Sequence, residues 1–260
     1  MTILLADAPA PADAEPVAVR PRLQVDLSAV AANTRLFARR TDAQLMAVVK
    51  ADGFGHGATD LARTALANGA TWLGVTSLDE ASALRRAGIV APLLSWLNPV
   101  HADFELACRQ RVDVAVPSVD HLMAVRAAAA VTGRRARVHL HLDTGMARDG
   151  APPQQWRTLM VLARTAEQHG LLDVVGVMGH LACADLPGHP ANKAGRQAFL
   201  RGADLAHRAG LRPRVRHLAA TAAALTDRRS HVDLIRVGAG LVGIDPSGTT
   251  ALRPALTLTA

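Results

Sequence analysis

"LMAVVKADGFGHGATDLARTALANGATWLGVTSLDEASALRRAGI", residues 45–89, runs through one structural rhythm twice. An apolar run over Leu45–Val49 ends in Lys50 and a turn holding Gly53, Gly55 and Gly57. The next stretch sets Leu61, Ala62, Ala65 and Leu66 at helical spacing and stops at Gly69, a residue that tolerates the left-handed end of a helix. Trp72–Val75 is a second short β-type run. A second helix follows it, with Ser77 as N-cap and Glu80 as its capping-box partner. Strands separated by helices predict parallel pairing, because a parallel crossover needs a connection of that length.

The rhythm continues in both directions. Further β-type runs fall at Pro92–Ser95, Val112–Val116, Arg137–Leu142, Val174–Gly179, Arg214–Leu218 and Leu234–Val237, which brings the number to eight. Upstream, "RLQVDLSAVAANTRLFARR" opens with a short alternating strand and a helix that Asp26 or Ser28 would cap. Eight such units predict an α/β fold, a (β/α)₈ TIM-type barrel. An open doubly wound sheet is the alternative, and no GxGxxG follows the first strand to favour it. At 260 residues one barrel fills the chain: residues 1–20 read as a disordered Pro/Ala leader and 21–252 as the barrel.

Composition narrows the function. The net charge is +7, but aromatic residues make up only 3%, too few to stack bases, and the arginine pairs are scattered among acidic residues. A nucleic-acid partner is therefore not expected. No window reaches the roughly 18 apolar residues of a membrane span. Cys108 and Cys183 form no CxxC pair and read as reduced thiols of a cytoplasmic protein.

In such a barrel, chemistry gathers where strands give way to βα loops. The predicted exits hold Lys50, Asp143, Arg148, His180, Thr221, Arg236 and the glycine-rich turn "VGAGLVG". Of the 29 basic residues only Lys50 and Lys193 are lysine. A desolvated amine can lose its proton and form a Schiff base with a carbonyl, or act as a base; arginine can do neither. The plainer reading of Lys50 is a strand-end lysine reaching water. His180 could stack on a flat ring, bind a metal or titrate. His139 and His141 form an HxH on one strand, but no carboxylate triad accompanies them, so no metal site is assigned. Arg236 needs a ring nitrogen, a carboxylate, or an ion pair with Asp233 or Asp245. The turn after the last strand suits a phosphate. Together these groups suggest pyridoxal 5′-phosphate (PLP), a phosphate-bearing aldehyde held by a lysine.

The chain also resembles the bacterial alanine racemase family. "AVVKADGFGHG" is similar to that family's lysine signature AVVKANAYGHG, and the likeness runs on through "VDLSAVAANTR", "LDTGMAR", "GVMGHLACAD", "HLAATAAAL", "LIRVGAGLVGIDPS" and "LRPALTLTA". The resemblance implies a PLP barrel that interconverts L- and D-alanine for cell-wall supply. Lys50 would be the Schiff-base lysine and one of two racemising bases. It implies His180 against the pyridine ring, Thr221, Gly238 and Ala239 at the phosphate, Arg236 facing the ring nitrogen and Arg148 near the substrate carboxylate. An arginine there cannot protonate the ring, which makes a weaker electron sink suited to proton exchange. The family is homodimeric.

Departures accompany the resemblance. Phe54 stands where the family has a phosphate-binding tyrosine, Ala220 where it has asparagine, Val242 where tyrosine is common, and His141 where many members have a carbamylated lysine. Residues 253–260 resemble the start of the family's second, β-rich domain, which the expected architecture lacks. That domain supplies the tyrosine base for the opposite face, and this sequence has no tyrosine. The expectation is a truncated, impaired racemase. The alternative is a single-domain PLP-binding carrier or regulatory protein without racemase turnover.

Overall fold

The computed structural model describes residues 22–259. The expected leader lies outside them. The chain enters through β1 (Arg22–Val25) and then lays down β2 (Gln44–Val48), β3 (Trp72–Val75), β4 (Leu93–Ser95), β5 (Asp113–Val116), β6 (Ala136–His141), β7 (Leu172–Met178), β8 (Val215–His217) and β9 (Leu234–Val237). Strands β2 to β9 are the eight expected parallel strands, and no end moves by more than two residues. β2 pairs with β3 on one side and β9 on the other, and the ladder then runs neighbour to neighbour to β8. Between β8 and β9 the regular ladder gives way to two backbone bonds: Asp233 N–H to Arg216 O (3.2 Å) and Arg236 N–H to Ala219 O (3.0 Å). The Asp233 carboxylate reinforces that seam by accepting from the Arg216 backbone and guanidinium. The result is a nearly closed barrel.

Strand alternation builds two apolar layers. On β2, Leu45 and Ala47 join the core between sheet and helices. Met46 and Val48 instead join the barrel interior with Trp72, Leu94, Trp96, Val175 and Met178. Because both faces are buried, these strands read as apolar runs in sequence. Gly74 makes room inside: a Cβ there would lie 2.7 Å from the Trp96 ring.

The helices start where their caps predict. Asp26, rather than Ser28, caps Leu27–Arg39 by accepting from Ser28 N–H at 2.8 Å. Ser77 caps Leu78–Arg86 by accepting from Glu80 N–H at 3.2 Å. The expected capping box does not close. Glu80 accepts from Thr76 N–H at 2.8 Å, one residue before the cap.

After β9 the chain does not leave the barrel. Ala255 is buried and accepts from Asp26 N–H at 2.8 Å. β10 (Leu256–Thr259) then pairs antiparallel with β1, Arg22 opposite Thr259. The segment expected to begin a second domain is thus tied to the strand that precedes the barrel.

Candidate active site

A cavity of about 370 Å³ opens where the barrel strands end. Lys50, Phe54, Arg148, His180, Thr221, Arg236, Gly238 and Ala239, the eight predicted site residues, all line it. Asp143, at the exit of β6, does not line it; its carboxylate accepts from Gly145 and Ala147 N–H and shapes its own loop.

Lys50 follows the end of β2 and is half-buried. Among the described residues no hydrogen bond or ion pair engages its Nζ, and the Phe54 ring lies 6.0 Å from it. The segment Lys50–Gly55 turns left-handed, with φ near +50° at Ala51 and Asp52 and +58° at Phe54. A left-handed L-residue costs roughly 1–2 kcal/mol, so neighbours must impose this turn. Glu80 does so directly, accepting from Ala51 N–H at 2.7 Å. The Asp52 carboxylate accepts from Ala58 N–H at 2.8 Å, and Gly53 N–H reaches Val49 O at 2.9 Å. Such strain, held by partners on other elements, marks a position whose geometry is used.

Arg236 sits inside the wall, 4% exposed. It donates to His217 Nδ1 (3.0 Å), His217 O (3.0 Å), Gly179 O (2.8 Å), Leu218 O (3.2 Å) and His180 Nδ1 (3.2 Å). The ion pair with Asp233 or Asp245 does not form. Asp233 holds Arg216, and Asp245 accepts from Ser247, Thr249 and Thr250 N–H. Burial, and then Arg148, push the Arg236 guanidinium down to about 10, which leaves it charged at neutral pH. Its Nε–H has no protein partner among the described residues.

His180 is pushed down to about 3, by burial first and then by Arg236, Arg148, His141 and Lys50. The ring is therefore neutral at physiological pH. Burial, again followed by Arg236, also holds His217 well below its ordinary value. Between about 3 and the ordinary 6.5, the unfolded chain's His180 takes up a proton that the folded one refuses. Unfolding is thus favoured as pH falls through that range, by about 1.4 kcal/mol per pH unit for each such histidine. The urea midpoint at pH 5 is expected below that at pH 7.5; an unchanged or higher midpoint would contradict the assignment.

Two sequence expectations change in detail. The Thr221 hydroxyl faces inward, accepting from Gly238 and Gly240 N–H at 3.3 Å each. Gly238 also lies against Phe54: a Cβ there would approach the ring to 2.8 Å. His141 lies 3.2 Å from Asp149, beside Arg148 in the chain, and the Asp149 carboxyl, despite burial, is held low by His141. His139 is engaged by Asp113 and His217. Asp149 and His217 were not singled out from sequence, and Glu80 was read only as a capping-box partner, not as a group that shapes the Lys50 turn.

The fit to PLP rests on this donor set. The cavity is lined by three cations, Lys50, Arg148 and Arg236, and one carboxylate, Asp185. Among the described residues it offers a partnerless amine, a partnerless guanidinium N–H and the Gly238–Ala239 turn. An anionic aldehyde with a ring nitrogen matches each of these in kind.

The family described as "Alanine racemase, N-terminal domain" matches residues 25–246. The alanine racemase of Frankia casuarinae is 46% identical over 242 residues, 90% of this chain and 63% of that protein. The crystal structure of the alanine racemase from Streptomyces lavendulae superposes with a TM-score of 0.89 at 39% identity, over 94% of this chain and 65% of that one. The structure of the Streptomyces coelicolor A3(2) alanine racemase gives 0.89 at 42% identity, over 92% and 66%. The chain spans just under two thirds of the length of these relatives.

Proposed function

The chain belongs to the alanine racemase family, and from that premise we propose that it binds PLP through Lys50 and exchanges the Cα proton of alanine. The observation that carries this reading is the convergence of all eight predicted residues on one cavity, with no hydrogen bond or ion pair to Lys50 Nζ among the described residues. Lys193, the other lysine, lies outside that cavity.

When bound, the cofactor supplies an aldehyde for amines and a conjugated ring that draws electron density from the substrate Cα. The residues divide the remaining work. Lys50 Nζ would hold the cofactor and, as a free amine, would take or return the Cα proton on its own face. Arg148 attracts the substrate carboxylate into the cavity. The Arg236 Nε–H would face the ring nitrogen as a donor that keeps its proton, because the guanidinium stays charged at neutral pH. His180, neutral and fixed by Arg236, offers a flat surface without a competing charge. The backbone at Gly238 and Ala239, which lines the cavity, would border the phosphate, although the Gly238 N–H is already donated to Thr221.

Racemisation needs a proton returned to the opposite face. No tyrosine occurs in these 260 residues, which favours a second reading, PLP binding with exchange on one face only. Incubation with PLP and alanine in deuterated water separates the two. The proposal expects deuterium at Cα together with inversion. Deuterium with retention supports the one-face reading, and no exchange overturns both.

A further inference from the structure

Asp113, His139 and His217 stand in a row through the barrel interior, and the chemistry above uses none of them directly. Asp113 opens β5, at the end of the barrel away from the cavity; Arg236 lies at the cavity. Between them runs an unbroken chain of hydrogen bonds. Asp113 Oδ2 meets His139 Nε2 at 3.2 Å, His139 Nδ1 meets His217 Nε2 at 2.8 Å, and His217 Nδ1 meets Arg236 at 3.0 Å. Both rings are 0% exposed and Asp113 is 1% exposed, so bulk water does not reach the links. Trp72 packs edge-on against His139, with centroids 5.6 Å apart. Gly176 clears the ring's place: a Cβ there would fall 2.4 Å from His139 Nδ1.

The two ends fix the polarity of every link. Arginine only donates, so His217 Nδ1 must be a lone pair and Nε2 must carry the hydrogen. His139 Nδ1 must then accept, which leaves its hydrogen on Nε2. That hydrogen needs an acceptor, and the ionised Asp113 supplies one. Arg137 holds Asp113 in place, through contacts of 2.6 and 3.1 Å to its two oxygens. Despite burial, His139 and Arg137 keep the Asp113 carboxyl below its ordinary value, so it remains an acceptor at neutral pH.

We propose that Asp113 is a positioning residue for the cofactor cavity, acting through the hydrogen placement of His139 and His217 on the orientation of Arg236. The effect on cofactor rests on the PLP reading above; the hydrogen placement does not. Because the same Asp113 Oδ2 serves both His139 and Arg137, an amide oxygen could still accept from His139; a leucine fills similar space and leaves the His139 Nε2–H without an acceptor. The hydrogen placement of both rings is then no longer fixed, and its reversal sets His217 Nδ1–H against the Arg236 donor.

The test uses the full chain with ¹⁵N-labelled histidine and no cofactor added. In the parent protein, NMR should show His139 and His217 as neutral rings with hydrogen on Nε2. In folded Asp113→Leu, His217 should leave that single tautomer, and PLP affinity read by absorbance should fall about tenfold, or about 1.4 kcal/mol. Asp113→Glu keeps a carboxylate and should restore the tautomer. Should Asp113→Leu fail to fold, the parent's His139 carries the test: hydrogen on Nδ1 rather than Nε2 would show that Asp113 is not its acceptor. Hydrogen on Nδ1 of His139 or His217 in the parent, or an unchanged His217 in folded Asp113→Leu, overturns the proposal. Failure of PLP to bind the parent would instead count against the cofactor reading.

Discussion

Lys50→Arg is expected to remove covalent capture of PLP and to lower alanine Cα exchange by about 10²–10⁴-fold, the range for loss of a positioned acid/base group. The substitution is chosen because it keeps almost everything else. Positive charge, length and the position over the Phe54 ring, now 6.0 Å from Nζ, are all retained. Since Nζ has no hydrogen bond or ion pair among the described residues, no protein partner is orphaned. What disappears is the ability to shed a proton: a guanidinium stays protonated at any working pH, so it is neither nucleophile nor base. The thermal midpoint should therefore stay near that of the parent while exchange collapses. Steady exchange measured by mass spectrometry of alanine in deuterated water checks this. A variant within tenfold of the parent would show that the lysine is a bystander.

The second large effect is expected at Arg236. Arg236→Ala should destabilise the fold by about 3 kcal/mol or more, because loss of a buried donor leaves its acceptors unpaired at about 1–3 kcal/mol each. Here the acceptors are Gly179 O, His217 O, Leu218 O, His217 Nδ1 and His180 Nδ1. Burial of the guanidinium is itself unfavourable, as its lowered pKa records, and that cost offsets part of the loss. For a chain of this size, about 3 kcal/mol corresponds to a fall in Tm of roughly 6–12 °C. Arg236→Gln keeps one donor group and should fall between. Thermal denaturation of the three proteins gives the order, and an alanine variant as stable as the parent would contradict it.

Most of this architecture was legible in the sequence, and for a physical reason. Parallel barrel strands are buried on both faces, so Leu45–Val49 and its counterparts stand out as apolar runs between helices. Helix starts at Asp26 and Ser77 were legible because capping is local. The site was legible where one residue type is irreplaceable: a lysine in an arginine-rich chain, or a glycine turn at a strand exit. Contacts between distant segments were not. Glu80 read as a capping partner of Ser77, but the fold brings its carboxylate to Ala51, 29 residues away. His139 read as half of an HxH pair with His141, yet the two rings face different partners, His217 with Asp113 and Asp149. Asp113, Asp149 and His217 had no local pattern at all, since their meaning lies in strand register. The pairing of Leu256–Thr259 with Arg22–Val25 was likewise invisible, because it joins the two ends of the described chain.

The central claim is that Lys50 is the amine that holds PLP. The most direct measurement is to incubate the protein with PLP, reduce it with borohydride, digest it and map the modified peptide by mass spectrometry. The account predicts one stable adduct, on the peptide containing Lys50, that Lys50→Arg abolishes. An adduct confined to Lys193 or the amino terminus, or none at all, would contradict it.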